Sequence, residues 1–256
     1  MTTTVVLKLG GSLVTEKTKP FSIRFSVLKR LAQELVKAYK ECCSRIIIVH
    51  GGGSFGHYVV KEHGGIDTAS AVTQTIMFMR ELSMIISDIF TSYGLPTVVF
   101  DTHALAVIRN NDLYLFIEPI LKSLDLGLIP ILYGDIVFGE KTRIVSGDEI
   151  VWCIGSKLTS SRLLFATTVD GVYDKDPSEP DAKLLDVVRL SDFKDILFSS
   201  TQGYDVTGGM RLKLELAYKY YSENIKEVVI FNGLIEGRTY EAICGTITRC
   251  SRVLRY

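Results

Sequence analysis

Short runs of β-branched and aliphatic residues limit most strongly how this chain can fold. Each run is four to six residues long, and apolar residues fill it almost continuously instead of alternating with polar ones. Because both faces of such a strand must be covered, the pattern predicts a parallel sheet with helices on its two sides. The predicted strands occupy residues 5–9, 46–49, 97–100, 128–132, 163–168 and 227–231.

Longer segments between these runs carry apolar residues at helical spacing. Leu28, Leu31 and Leu35 share one face of the first such segment, and a second segment covers residues 72–90. The alternation predicts an α/β fold, a three-layer αβα sandwich with a mostly parallel central sheet. No repeat, low-complexity tract or long linker divides the chain, so we expect one domain over residues 1–256. The polar stretch 174–181 predicts a surface loop.

Charge and hydropathy exclude several classes of protein. The chain has 29 basic and 29 acidic residues, so a formal net charge of zero predicts no nucleic-acid partner. No 18 apolar residues follow one another, and Lys8 interrupts the first apolar run where a signal peptide needs its core. We therefore expect a soluble, cytoplasmic protein with no membrane partner. Cysteines without metal-ligand spacing predict free thiols in a reducing compartment: Cys42, Cys43, Cys153, Cys244 and Cys250.

Glycine-rich turns follow the first two predicted strands. One reads Lys8-Leu-Gly-Gly-Ser12, and the other reads His50-Gly-Gly-Gly-Ser-Phe-Gly-His57. At the carboxyl ends of parallel strands, glycine lets backbone N–H groups approach an anion without a Cβ in the way. The two turns predict binding of two phosphate groups, or of one phosphate that passes between two positions.

A third glycine turn, at Gly208 and Gly209, precedes a predicted helix that carries Lys213 about one turn from its start. The positive end of the helix dipole would lie beside this lysine, which suits phosphate binding. None of the turns follows the P-loop spacing or the dinucleotide fingerprint, so ordinary P-loop NTPases and Rossmann dehydrogenases lose their main support. The sequence therefore predicts phosphate chemistry on a different scaffold.

Five motifs in a fixed order extend this pattern. They are Lys8-Leu-Gly-Gly-Ser-Leu13 with Lys17, the turn from His50 to His57, Ser146-Gly-Asp-Glu-Ile150, Thr168-Val-Asp-Gly-Val-Tyr173, and Asp205-Val-Thr-Gly-Gly-Met210 with Lys213. Over residues 5 to about 245 the chain closely resembles the isopentenyl phosphate kinases, a branch of the amino acid kinase superfamily. Lys17 and His57 indicate this branch. One departure lies near the C-terminus, where Cys250-Ser251 takes the place of the family's usual Gly-Thr.

The resemblance implies transfer of the ATP γ-phosphoryl group to isopentenyl phosphate, in isoprenoid biosynthesis, with ATP and Mg²⁺ required. The second pKa of a phosphate monoester is near ~6, so the attacking oxygen is already anionic and needs no general base. Repulsion between two anions is the difficulty, which a site rich in cations and backbone N–H groups relieves. The resemblance also implies a homodimer, formed through an amphipathic helix.

The resemblance divides the site residues among three tasks. It assigns catalysis to Lys8, Lys17, His57, Asp148 and Lys213. It assigns acceptor binding to Gly51, Gly52, Gly53, Gly56 and His57. It assigns nucleotide binding to Lys8, Gly10, Gly11, Ser12, Asp170, Tyr173, Asp174, Gly208, Gly209 and Lys213. Asp148 is expected between the lysines, and the N-terminal lobe, about 1–150, is expected to bind the acceptor while 151–256 binds nucleotide.

Some alternatives stay open at this point. A fosfomycin kinase-like enzyme, or another small-phosphate kinase of the superfamily, would share the glycine turns, and a non-catalytic nucleotide-binding module would share the fold. The methionine-rich segment after His57 fits either a packed core or a pocket for a five-carbon tail. His50 is interpreted as a packed, hydrogen-bonded residue. No protein ligand of Mg²⁺ is predicted.

Overall fold

The computed structural model describes residues 3–16, 18–192 and 208–256. The strands in these ranges are β1 Thr4–Leu9, β2 Ile46–His50, β3 Thr97–Val99, β4 Ala106–Arg109, β5 Asp112–Leu115, β6 Ile129–Tyr133, β7 Asp135–Val137, β8 Arg143–Val145, β9 Ser161–Thr167, β10 Val187–Arg189, β11 Ile225–Asn232 and β12 Ser251–Leu254. Eight of them form one sheet in the order β10-β12-β11-β9-β1-β2-β6-β3. All neighbours in this sheet are parallel except β11 and β12.

The six strands predicted from apolar runs are β1, β2, β3, β6, β9 and β11, which lie side by side in the sheet. In the register of β1, Leu9 pairs with His50 on one side and with Ala166 on the other. These three strands therefore end level with one another. The glycine turns that follow β1 and β2 leave the sheet at the same edge.

Helices cover both faces of the sheet. They are α1 Gly11–Val14, α2 Phe25–Glu41, α3 Gly53–Glu62, α4 Ala69–Ser92, α5 Thr102–Leu105, α6 Glu118–Asp125, α7 Gly147–Lys157, α8 Gly208–Tyr220 and α9 Arg238–Cys244. On one face, α2, α4 and α9 pack against Leu7 and Ile48. On the other, α6, α7 and α8 pack against Val6 and Phe165. The predicted three-layer αβα sandwich is confirmed, and no helix in the described part of the chain is long and apolar enough to cross a membrane.

Two short antiparallel hairpins, β4–β5 and β7–β8, lie outside the main sheet and were not among the predicted strands. The second hairpin leads directly into α7. Arg143 on β8 donates two hydrogen bonds of 2.8 Å to the Glu149 carboxylate in the first turn of α7. Tyr220, at the end of α8, donates to the same carboxylate at 3.1 Å. The buried Glu149 therefore joins the hairpin to both helices.

The cysteine prediction was wrong for one pair. Cys42, after α2, and Cys244, at the end of α9, form a disulfide with their Cα atoms 5.2 Å apart. The pairing spans 202 residues of sequence, so no local spacing could indicate it. It arises because α2 and α9 pack on the same face of the sheet. Cys43, Cys153 and Cys250 are free thiols, as expected.

Ser251, part of the Cys250-Ser251 pair noted in the sequence, makes two hydrogen bonds in the structure. Ser251 begins β12, and its buried hydroxyl accepts a hydrogen bond from the Val172 N–H at 2.8 Å. The same hydroxyl donates to the carbonyl oxygen of Leu185 at 2.5 Å. Ser251 therefore secures the start of the loop that leaves β9, and the surface loop predicted at residues 174–181 follows without regular secondary structure.

Candidate active site

The glycine turns after β1 and β2 touch each other. A Cβ placed on Gly11 would lie 2.5 Å from the backbone nitrogen of Gly53, and one placed on Gly51 would lie 2.8 Å from the backbone nitrogen of Gly11. Neither turn has room for a side chain at these positions, since real Cβ contacts are longer. The close packing leaves backbone groups of both turns along a cavity of about 470 Å³. Such a lining suits an anion.

A buried cluster of three charges lies beside these turns. The Lys8 ammonium is 3.2 Å from Oδ1 of Asp148, and the Lys213 ammonium is 3.4 Å from Oδ2. The three side chains are only 8 to 10% exposed, and all line the cavity. One carboxylate thus separates two cations, and the cluster carries a net charge of +1 next to the glycine turns.

The fold places each member of the cluster for a local reason. Side chains alternate across a strand, so Lys8 shares the face of Val6, which α7 and α8 cover. Ser146 caps α7 by accepting from the Glu149 N–H at 3.1 Å, which leaves the Asp148 carboxylate free of capping. Lys213 also donates to the carbonyl oxygen of Gly209, four residues earlier, at 3.2 Å.

The charge state of Asp148 follows from these neighbours. Burial would raise the pKa of its carboxyl, but the charges of Lys8 and Lys213 outweigh burial and hold the pKa below its ordinary value. Asp148 is therefore an anion at neutral pH. Because two ammonium groups share one carboxylate, the cluster still attracts negative charge, and phosphate groups would supply it.

The cavity has an apolar end next to α3. His57 lies one turn inside α3 and lines the cavity. Val60, Thr75 and Met79 line the same end. A Cβ on Gly56 would lie 3.0 Å from the Met79 sulfur, which shows how closely α4 packs against the turn. Met79 therefore lines the pocket, whereas Met77 and Met84 are more than half exposed.

The opposite end of the cavity lies between the loop after β9 and the start of α8. Tyr173, Lys175 and Pro177 line it from the loop, and Gly209 and Met210 line it from the helix. The predicted surface loop at residues 174–181 is thus also part of the cavity wall. In the sheet, β1 carries Lys8 and lies between β2, which leads into α3, and β9, which leads into this loop.

The structure brings most of the predicted site residues to one cavity. Those that line it are Lys8, Gly10, Gly11, Ser12, Gly51, Gly52, Gly53, Gly56, His57, Asp148, Tyr173, Gly209 and Lys213. Gly208 begins α8. Lys17 lies outside the described residues, as do residues 205–207 of the third glycine motif.

Two predicted nucleotide-binding residues do not line the cavity. Asp170 forms ion pairs with Arg238 and with Arg249, and these hydrogen bonds lower the pKa of its carboxyl although burial would raise it. Asp174 accepts a hydrogen bond from the Lys183 N–H at 2.8 Å. Both carboxylates hold the loop in shape. Their predicted contact with nucleotide stays a prediction.

Asp135 is a lining residue that the sequence interpretation missed. It is fully buried and accepts from His103 Nδ1 at 2.6 Å and from the Ile136 N–H at 2.9 Å. Burial raises the pKa of Asp135, and the bond from His103 partly opposes the shift. A signal was present, because Gly134-Asp135 follows β6 as the other glycine turns follow β1 and β2.

Comparisons with known proteins identify the family of this chain. The model of the amino acid kinase family matches residues 3–232. The chain belongs to the amino acid kinase family. Isopentenyl phosphate kinase of Methanocaldococcus jannaschii is 33% identical to it, over 94% of this chain and 95% of that protein. The corresponding enzyme of Methanothermobacter thermautotrophicus is 30% identical, over 97% of this chain and 98% of that protein.

A solved structure shows the same relationship. An X-ray structure of isopentenyl phosphate kinase superposes on this chain with a TM-score of 0.83 at 27% sequence identity. The match covers 98% of this chain and all of that one. The fold prediction is confirmed as that of an amino acid kinase.

In this amino acid kinase, His50 lies directly behind the second glycine turn and is fully buried. Burial lowers the pKa of His50 to about 4; a hydrogen bond to Gly51 opposes the shift, and the Lys8 charge adds to it. The ring is therefore neutral at physiological pH.

The low pKa of His50 predicts that the enzyme loses stability in mild acid. The unfolded chain takes up the His50 proton near pH 6.5 and the folded chain only near pH 4, so the unfolded state binds more protons between these values. His50 costs no stability above about pH 6.5. As the pH falls to 4, the free energy of unfolding should decrease by up to about 3 kcal/mol. Urea unfolding at pH 7.5, 6.5, 5.5 and 4.5 measures this slope.

A matched pair of variants assigns that slope to one residue. In His50→Gln the number of protons taken up on unfolding between pH 4 and 6.5 should fall by about one, since glutamine does not titrate. His63→Gln, at an exposed histidine beyond α3, should keep the wild-type slope. Equal slopes for wild type and His50→Gln would show that the acid sensitivity comes from other groups.

Proposed function

We propose that this chain phosphorylates isopentenyl phosphate with ATP, giving isopentenyl diphosphate and ADP. One observation carries the proposal: the buried Lys8–Asp148–Lys213 cluster lines one cavity together with α3, which follows β2, and the loop after β9, on the two sides of β1. Such a site offers a cationic meeting point for two anions that approach from opposite sides. The relatives described above are named for this activity.

Charge stabilisation is the chemistry that these residues can supply. The acceptor phosphate is anionic at neutral pH, so its oxygen attacks without a general base. Lys8 and Lys213 would neutralise the charge of the transferring phosphoryl group and of the oxygens around it. Asp148 would hold the two ammonium groups apart and aimed at the cavity. Lys17 is proposed to add charge in the same region.

The acceptor would occupy the N-terminal lobe. Backbone N–H groups of Gly52 and Gly53 would bind the non-reacting phosphate oxygens, and His57 would donate a further hydrogen bond. Gly51 and Gly56, whose N–H groups bond to Leu9 and Gly52, would let the phosphate approach without a Cβ in the way. Val60, Thr75 and Met79 would surround the five-carbon tail, since an adaptable methionine suits an alkenyl chain. The apolar wall supports an acceptor with a hydrocarbon tail over the small polar antibiotic of a fosfomycin kinase.

ATP supplies the phosphoryl group and would lie against the C-terminal lobe. The first glycine turn would bind its phosphates, because Gly10, Gly11 and Ser12 line the same cavity as Lys8 and Lys213. Gly209, in the third glycine turn, and Tyr173, in the loop after β9, would hold the rest of the nucleotide. In the described part of the chain, no group of three or more His, Cys, Asp or Glu side chains could hold a metal ion. Phosphate oxygens and water would accordingly hold the Mg²⁺.

Assembly and location complete the proposal. Met77 and Met84 lie two turns apart on α4 and are 51% and 55% exposed. They support a homodimer formed through this helix. We place the enzyme in the cytoplasm, where ATP and its substrate would be present. In that compartment, reductants would act on the Cys42–Cys244 disulfide.

A coupled ADP-release assay tests the proposed reaction. With ATP and Mg²⁺, isopentenyl phosphate should give a kcat/KM in the ordinary enzyme range, roughly 10⁴ to 10⁸ M⁻¹s⁻¹, far above the other acceptors. The panel also contains dimethylallyl phosphate, geranyl phosphate, fosfomycin, UMP, glutamate and acetylglutamate. A higher value with fosfomycin would contradict the hydrocarbon-tail assignment. ATP binding without transfer to any acceptor would favour a non-catalytic module.

A further inference from the structure

His50 makes two hydrogen bonds from a position behind the acceptor-side glycine turn. It ends β2, is fully buried, and does not line the cavity. Its Nδ1 is 3.2 Å from the Gly51 carbonyl oxygen, and its Nε2 is 2.5 Å from the Ser83 hydroxyl on α4. The ring stacks on Tyr133 with centroids 5.6 Å apart. Packing and both nitrogens therefore fix the orientation of the imidazole.

The partners determine the tautomer. A carbonyl oxygen can only accept, so Nδ1 must carry the proton and donate to Gly51. Burial and the nearby Lys8 charge keep the ring neutral, so Nε2 has no proton. Ser83 must then donate its hydroxyl proton to Nε2. The two hydrogen bonds therefore run in one direction: the Ser83 hydroxyl donates to His50, and His50 donates to the Gly51 carbonyl oxygen.

The bond to Gly51 also orients the next N–H group. In a trans peptide the C=O and the following N–H point in opposite directions, and the residues that the structure describes contain no cis peptide bond. The Gly51 carbonyl points back towards His50, away from the cavity. The N–H of Gly52, in the same peptide unit, therefore points to the cavity that Gly51 and Gly52 line.

We propose that His50 is a positioning residue that holds the Gly51–Gly52 peptide so that its N–H meets the phosphate of the acceptor. The inference rests on the proposed function for the identity of that acceptor. A run of three glycines has no side chain to restrain its peptides, and glycine explores more backbone conformations than any other residue. The Gly51 N–H is held by the Leu9 carbonyl at 3.0 Å, and the His50 bond holds the following peptide.

Two substitutions at His50 separate positioning from packing. Asparagine places an amide nitrogen near the position of Nδ1, and glutamine places its amide near Nε2. His50→Gln should raise the KM for isopentenyl phosphate about tenfold or more, as expected when an N–H to a charged oxygen is lost, with the KM for ATP changed less than twofold. His50→Asn should recover most of that loss.

Ser83→Ala is the matched control. It removes the second bond of the same ring and should lower Tm, but it leaves the Gly51 contact in place and should raise the acceptor KM less than threefold. Equal KM values for His50→Gln and His50→Asn, or KM changes that follow Tm across all three variants, would overturn the positioning role.

A binding measurement keeps this inference separate from the proposed function. Wild-type protein labelled with ¹⁵N is titrated with inorganic phosphate, and the Gly52 amide signal is followed by NMR. The signal should shift in wild type and in His50→Asn, and it should shift much less in His50→Gln, whichever acceptor the enzyme phosphorylates. Equal shifts in the three proteins would overturn the inference, whereas an inactive wild type with the expected shifts would overturn only the proposed function.

Discussion

Lys213→Ala and Lys8→Ala should each lower kcat by about 10³-fold, about 4 kcal/mol of transition-state stabilisation. The reason is electrostatic: each variant removes one of the two buried cations proposed to neutralise the transferring phosphoryl group. ADP release at saturating ATP and isopentenyl phosphate measures the effect. Lys219→Ala is the control, because Lys219 lies on the same helix as Lys213 but makes its contacts with Asp112 and the Tyr220 ring and does not line the cavity.

The same variants should change stability little. The two lysines share the Asp148 carboxylate, so removing one ammonium leaves a neutral pair and relieves the repulsion between like charges. We expect the free energy of unfolding to change by about 1 kcal/mol or less, which corresponds to a Tm shift of about 4 °C or less. A large loss of Tm with near-normal kcat would refute the catalytic assignment of these lysines.

His57→Ala should lower kcat/KM for isopentenyl phosphate about 100-fold, about 2.7 kcal/mol, while ATP binding stays near the wild-type value. His57 lines the cavity from the first turns of α3, and it is proposed to donate to a phosphate oxygen of the acceptor. His57→Gln keeps a donor without the charge and should fall between wild type and His57→Ala.

Initial rates over a matrix of ATP and acceptor concentrations give these constants. His63→Gln controls for the loss of a histidine near the same helix, since its partner is the exposed Gln74. Unchanged acceptor kinetics in His57→Ala would exclude the residue from acceptor recognition. An equal rise in the KM values for ATP and for the acceptor would indicate a general disturbance of the cavity.

The pattern of residues along the chain predicted the layers of the fold and the two glycine turns. Strands covered on both faces must be apolar almost throughout, so β1, β2, β6 and β9 are visible in the sequence without any contact information. The hairpin β7–β8 was missed because its strands are three residues long and belong to no apolar run of the predicted kind. Its Arg143 binds Glu149 in the first turn of α7, the turn that also carries Asp148, and the sequence does not reveal this contact.

Local sequence also determined that Lys8 and Lys213 would accompany glycine turns, because each lies within a few residues of one. Spacing along the chain does not predict that Asp148 lies between them, since it is 140 residues from Lys8 and 65 from Lys213. That expectation came from the resemblance alone, and the tertiary structure brings the three side chains together. Only the tertiary structure decided the Cys42–Cys244 bond and the two arginines that engage Asp170. Spacing along a chain governs which side chains share a strand face or a helix face, whereas contacts between layers depend on how the sheet brings distant helices together.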